Sequence, residues 1–149
     1  MNNNSIFEFS QEHTDGDASL TDLLGGKGAN LSEMSKMGIK VPPGFTITTE
    51  VCNYFMNHAQ LPDDLEDEIK KAVGKLEKYS SKSFGGDGTP LLLSVRSGGK
   101  VSMPGMMDSI LNIGLNDDNV GKLAESFNDE RFALDSYRRL IQMYSNVVL

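Results

Sequence analysis

The hydrophobic positions change period several times along the chain, and each change falls at a turn former. Ile6 to Phe9 reads as a short strand, with Phe7 and Phe9 on one face. Gln11 to Asp22 is polar and acidic and reads as a loop. Leu31, Met34 and Met37 then follow helical spacing after Gly25-Gly26-Lys27-Gly28, and Gly38 is a natural helix stop. Val41-Pro42-Pro43-Gly44 makes a rigid turn into a strand over Phe45 to Thr48. Thr48 or Thr49 can cap the next helix, with Glu50 in its first turn. Val51, Cys52, Phe55, Met56 and Ala59 carry that helix. Pro62 opens another, whose apolar stripe is Leu65, Ile69, Ala72, Val73 and Leu76. Glu66 with Lys70, and Asp67 with Lys71, are four-residue pairs on its wet face.

The second half repeats the logic. Tyr79 to Thr89, with Gly85-Gly86-Asp87-Gly88, reads as a surface loop. Leu91 to Val95, between Pro90 and later glycines, reads as a buried strand. Ser109 to Leu115 alternates, placing Leu111, Ile113 and Leu115 on one face. Asn116 starts a helical segment with Val120, Leu123, Ala124 and Phe127 inward. Asn128 caps a last helix lined by Phe132, Ala133, Tyr137, Leu140, Ile141 and Tyr144. The order is strand, helix, strand, two helices, strand, loop, strand, helices, which predicts an α+β or α/β fold. Met1 to Ser5 is expected to be frayed.

Composition narrows the function. At 149 residues the chain can bury one real core. A net charge of −7 with no basic stripe argues against nucleic acid or an anionic membrane as partner. An anionic ligand would need local positive charge, which Lys27, Arg96 and Lys100 can supply. The single cysteine, Cys52, excludes an internal disulfide, fits a reducing compartment, and reads as a small core residue. His13 and His58 are the only histidines, too few for a zinc site or a histidine-based triad. The acidic run Asp63 to Glu68 reads as a solvated helix face. No apolar run approaches the ~20 residues of a membrane span, and no signal peptide is evident. The apolar ending Val147-Val148-Leu149 suggests truncation.

Candidate chemistry gathers between Pro90 and Leu115. Arg96 stands at a strand end, followed by Ser97-Gly98-Gly99-Lys100 and the methionine-rich Ser102-Met103-Pro104-Gly105-Met106-Met107-Asp108. In α/β sheets ligands bind beyond strand carboxyl ends, so the stretch predicts an anion site beside an apolar pocket. On pattern alone the commoner case, by roughly two to one, is a surface salt bridge and core methionines. GGKG is weaker still. It is neither a Walker A loop nor GxGxxG, and a surface lysine in a flexible turn is its plain reading.

The literal strings change the weighing. SVRSG followed by VSMPGMMDSILNIGLND resembles the nucleotide-binding region of the pyruvate, phosphate dikinase family. Leu23 to Met34, GIKVPPGFTITT from Gly38 to Thr49, and Arg131 to Leu149 resemble that family's other early segments, in its order from Asp15 onward. Phosphoenolpyruvate synthases share GGK and VRS but lack SMPGMMD. Departures are Gly99-Lys100, where the family has less charge, and Ser109, where it often has Thr.

The resemblance implies the first lobe of an ATP-grasp nucleotide-binding domain, with residues 6–115 as nucleotide-binding subdomain and 116–149 as the start of a helical insert. It implies that Lys27 and Arg96 contact ATP phosphates, with Ser102 and Met103 lining the nucleotide pocket. No catalytic residue and no metal ligand is assigned, the magnesium carboxylates being expected outside this stretch. The implied partners are ATP or AMP, a phosphohistidine carrier domain and a pyruvate-binding barrel, in a cytoplasmic protein with an organelle left open. Two alternatives stand beside it: a non-catalytic nucleotide- or partner-binding module derived from the family, and a piece of a phosphoenolpyruvate synthase.

Overall fold

The structure is a computed structural model that describes residues 4–98 and 109–149. Strands β1 (Ile6–Phe9), β2 (Gly44–Ile47), β3 (Leu93–Arg96) and β4 (Ser109–Ile113) intersperse with helices α1 (Thr21–Lys36), α2 (Thr49–His58), α3 (Leu65–Ser80), α4 (Val120–Phe127) and α5 (Glu130–Val148). The fold is α+β, in the element order that the hydrophobic periods predict. The chain divides into two compact units, residues 4–76 and residues 77–97 with 109–149, the division falling within α3.

In the first unit β1 pairs antiparallel with β2, Ile6 opposite Ile47 and Phe9 opposite Gly44. Ile6 and Phe9 are buried, and Phe7 is half-buried. Across the ladder from Phe9, a Cβ on Gly44 would stand 2.7 Å from the Phe9 ring. Phe9 therefore covers a bare strand position, as aromatic residues do opposite a strand glycine.

Helix α1 packs on this hairpin through its small residues. Gly25, Gly28, Ala29, Ser32 and Ser35 are buried along with Leu24, whereas Met34 and Met37 on the expected apolar side are exposed. Small residues let helix and strand backbones approach closely, which a larger face would forbid. The helix ends as the sequence predicts. Gly38 has φ +76, its N–H bonds the Ser35 carbonyl at 3.0 Å, and the Ile39 N–H bonds the Met34 carbonyl at 3.0 Å, the paired bonds of a glycine-terminated helix.

Helix α2 corrects an expectation. Only Val51 is buried on it; Cys52 is exposed, as are Phe55 and Met56. Cys52 is therefore not a core residue, because apolar spacing shows which side chains share a face and not what lies against it. Thr48 occupies the cap position without a side-chain capping bond. Helix α3 does bury its predicted stripe at Leu65 and Ala72, and Glu66 pairs with Lys70 at 2.7 Å on the outer face. A further ion pair, Lys75 with Glu8 at 2.7 Å, ties α3 to β1.

In the second unit β3 pairs antiparallel with β4, with a register shift between Leu93 and Val95. Leu93 faces Ile113 and Val95 faces Ile110, so β4 carries one residue more than β3. Such a bulge reverses which residues face inward beyond it. Ile110 and Leu115 are consequently both buried although five positions apart. Leu111, Ile113 and Leu115 do not share one alternating face, and Asn112 takes φ 61 at the irregularity. The expected buried strand at Leu91 to Val95 is also corrected: Leu91 is buried, but Val95 is 55% exposed.

Leu115, Leu123 and Ala133 form this unit's core. Helix α4 begins at Val120 rather than Asn116, because residues 116–119 form a turn. The Asn116 side-chain oxygen accepts from the N–H of Asp118 at 3.0 Å and of Asn119 at 2.9 Å. Asp129, not Asn128, caps α5 by accepting from the Phe132 N–H, while Asn128 closes α4 in the left-handed region at φ 50. Phe127, Phe132, Ile141 and Tyr144, expected inward, are exposed. The inner line of α5 is Ala133 and Ser136, with Tyr137 and Leu140 packed against the core. Arg138 and Arg139 both bond Asp135, at 2.8 and 2.7 Å. The Gly85–Gly88 loop is tied down by Lys122, which donates to the Asp87 carbonyl, and by Asn116, which reaches the Gly85 carbonyl at 3.3 Å.

Candidate functional site

Lys27 and its glycines do not precede α1, as their pattern suggests; they lie within it. The helix starts at Thr21 and breaks at Gly25, whose φ 70 and ψ 164 are non-helical. Only glycine adopts that combination readily, because any Cβ would clash with its own backbone. The break divides α1 into a short first turn and a longer second segment headed by Gly26, Lys27 and Gly28. A helix beginning directs N–H groups and the positive end of its dipole outward, and here a half-buried lysine stands in that first turn. The pattern thus predicts a helix start in the right place, reached by a bend rather than from a loop.

Two contacts fix this seat. A Cβ on Gly28 would lie 2.8 Å from both the methyl and the hydroxyl of Thr46, so α1 rests directly on β2. The Thr49 hydroxyl, at the start of α2, donates to the Asp22 carbonyl at 2.7 Å. In an unbroken helix that carbonyl would accept from residue 26. Spacing offers Thr48 or Thr49 as the cap of α2 and gives Thr46 no role; the signal for the Thr46 and Thr49 contacts lies in tertiary structure and is invisible to spacing.

Arg96 ends β3 opposite Ser109 on the bulged ladder. It is exposed. Lys27 belongs to the first unit and Arg96 to the second. Ser102 and Met103, like Lys100, fall outside the described residues. Among the described residues no three His, Cys, Asp or Glu side chains gather as a metal site, so none is assigned to magnesium. No described helix is long and apolar enough to cross a membrane.

The site thus belongs to an α+β protein in which a glycine-broken helix presents a lysine. The family described as "Pyruvate phosphate dikinase, AMP/ATP-binding domain" matches residues 21–61 and 56–142, and the chain belongs to that family. It is similar to pyruvate, phosphate dikinases of Rickettsia conorii, 52% identical over 97% of this chain, and of Entamoeba histolytica, 54% identical over 91%. The protein of that name from Clostridium symbiosum is 52% identical over 91%. The chain spans about one sixth of these relatives, 16% of the first.

Proposed function

We propose that Lys27 and Arg96 bind the phosphate groups of ATP within the first lobe of an ATP-grasp domain. Residues 6–115 are its nucleotide-binding part, and residues 116–149 begin a helical subdomain. The observation that carries this reading is the match of the AMP/ATP-binding family across both stretches that hold these cations. A planar guanidinium can hold two phosphate oxygens at once, and a lysine at a helix start adds a point charge. Ser102 and Met103 line the nucleotide.

In the longer cytoplasmic protein this reading implies, the β-phosphoryl group of ATP passes to a histidine on another domain, and the γ-phosphoryl group passes to inorganic phosphate. AMP and pyrophosphate leave, and the phosphohistidine then converts pyruvate to phosphoenolpyruvate. Phosphoryl transfer depends chiefly on positioning and on neutralising oxygen charge, and that is the part given to Lys27 and Arg96. Magnesium would supply further charge neutralisation from ligands elsewhere. The chain alone does not complete the cycle.

The test is a separation of partial reactions in a full-length protein carrying this segment. Arg96→Ala should cripple phosphorylation of the carrier histidine by ATP and spare phosphoryl exchange between carrier and phosphoenolpyruvate. Equal loss of both contradicts the assignment. Because the chain spans only about a sixth of its relatives, a free-standing binding module is the second reading. Tight stoichiometric binding of ATP and magnesium by the isolated chain in calorimetry favours it; weak or absent binding favours one part of a larger clamp. Phosphate dependence of the full-length activity separates the dikinase from a synthase that uses water.

A further inference from the structure

We propose that Thr49 is a positioning residue for nucleotide phosphate, acting through the broken helix α1. The inference rests on the phosphate-binding reading of Lys27 given above. Breaking a helix at one residue takes a carbonyl in the turn before the break out of its helical pairing. In α1 the Thr49 hydroxyl donates to the Asp22 carbonyl, in the turn before the Gly25 bend, at 2.7 Å. Asp22 is exposed, so the bond works as a tether: it holds the turn before the bend against the start of α2 and favours the bent form over a continuous helix. A continuous helix would return residues 26–28 to the interior of the helical ladder and turn Lys27 about the axis. The bent form keeps them at the head of the second segment.

The neighbouring contacts make Thr49 well placed for this. Thr48, just before it, is 2% exposed, and its N–H bonds the Ser5 carbonyl at 3.0 Å. The start of α2 is thereby anchored to the β1–β2 hairpin. Gly28, on the other side of the bend, lies against Thr46 of the same hairpin. The two ends of the break are thus referred to one frame, α1's first turn through Thr49 and its second segment through Gly28. The hydroxyl is the part that matters: serine can replace it, and valine, of the same shape, cannot.

Equilibrium binding of ATP to a full-length protein carrying this segment tests this. Lys27→Met should weaken the affinity about tenfold or more. Thr49→Val should weaken it about threefold to tenfold, the scale of one lost hydrogen bond, and Thr49→Ser should restore it. Unchanged affinity in Thr49→Val, or a Thr49→Ser as weak as Thr49→Val, overturns the positioning role while a Lys27→Met loss leaves the phosphate reading standing. Unchanged affinity in Lys27→Met overturns the phosphate reading and this inference with it. Hydrogen exchange without ligand gives a second readout. Thr49→Val should speed exchange at residues 26–28 and leave α3 unchanged. Equal acceleration at α3 marks a general loss of stability and overturns the role.

Discussion

The seats of Lys27 and Arg96 are built differently. Lys27 rides on a helix segment bracketed by a bend that only glycine readily adopts and a glycine pressed against Thr46, among buried small residues. Arg96 ends a two-stranded, bulged ladder whose outer residues are exposed. The first seat is set by close backbone approach, and the second by a register shift. Two cations proposed for one ligand therefore depend on different kinds of structure, and substitutions that damage one seat should leave the other's unit intact.

The sharpest break of that comparison is at Gly114. It has φ +114, and a Cβ there would stand 2.4 Å from the Leu91 carbonyl, a backbone atom with no rotamer to escape into. Gly114→Ala should cost about 3 kcal/mol or more, from backbone strain and overpacking together. In chemical denaturation the loss should fall on the second unit, with hydrogen exchange in α1 little altered. Gly28→Ala is the matching substitution in the first unit and should cost less, about 1–3 kcal/mol, because the two closest atoms it meets belong to the Thr46 side chain. Removing both atoms with Thr46→Ala should recover most of that loss. No recovery would mean that Gly28 serves something other than helix-to-strand approach.

The smallest expected effect is a pH dependence confined to the second unit. The Tyr137 phenol donates to Asp117 at 2.8 Å, and that bond, followed by burial, raises its pKa above the ordinary 10.0. A raised folded pKa gives stability that is full below the unfolded value and is lost as pH rises through the folded one. Tyr137→Phe should remove this part of the alkaline dependence. Lys70 and Lys75 in the first unit, raised by bonds to Glu66 and Glu8, should keep theirs. An unchanged alkaline limb in Tyr137→Phe would remove the bond from the account.

Much of the architecture was legible because period and punctuation survive tertiary contact. The element order, the Gly38 stop and the α3 stripe all follow from local rules. What failed was whatever depends on a partner strand or helix. Alternation from Ser109 to Leu115 could not reveal that β4 has one residue more than β3. The spacing of Cys52, Phe55 and Met56 could not reveal that little lies against them. GGKG showed that a helix starts near Lys27, but the turn before it, Thr21 to Leu24, lacked a pattern long enough to read. As for the site, the cation types and their strings were legible, whereas the supports at Thr46 and Thr49 arise only when distant segments meet.

The most direct test of the central claim, that Lys27 and Arg96 serve one triphosphate, is equilibrium binding of ATP and of adenosine to a full-length protein carrying this segment. Lys27→Met and Arg96→Met should each weaken ATP binding about tenfold or more, the scale of a lost charge-assisted hydrogen bond, and leave adenosine binding unchanged. ATP affinity that is unaltered in either variant, or that falls in parallel with adenosine affinity, would contradict it.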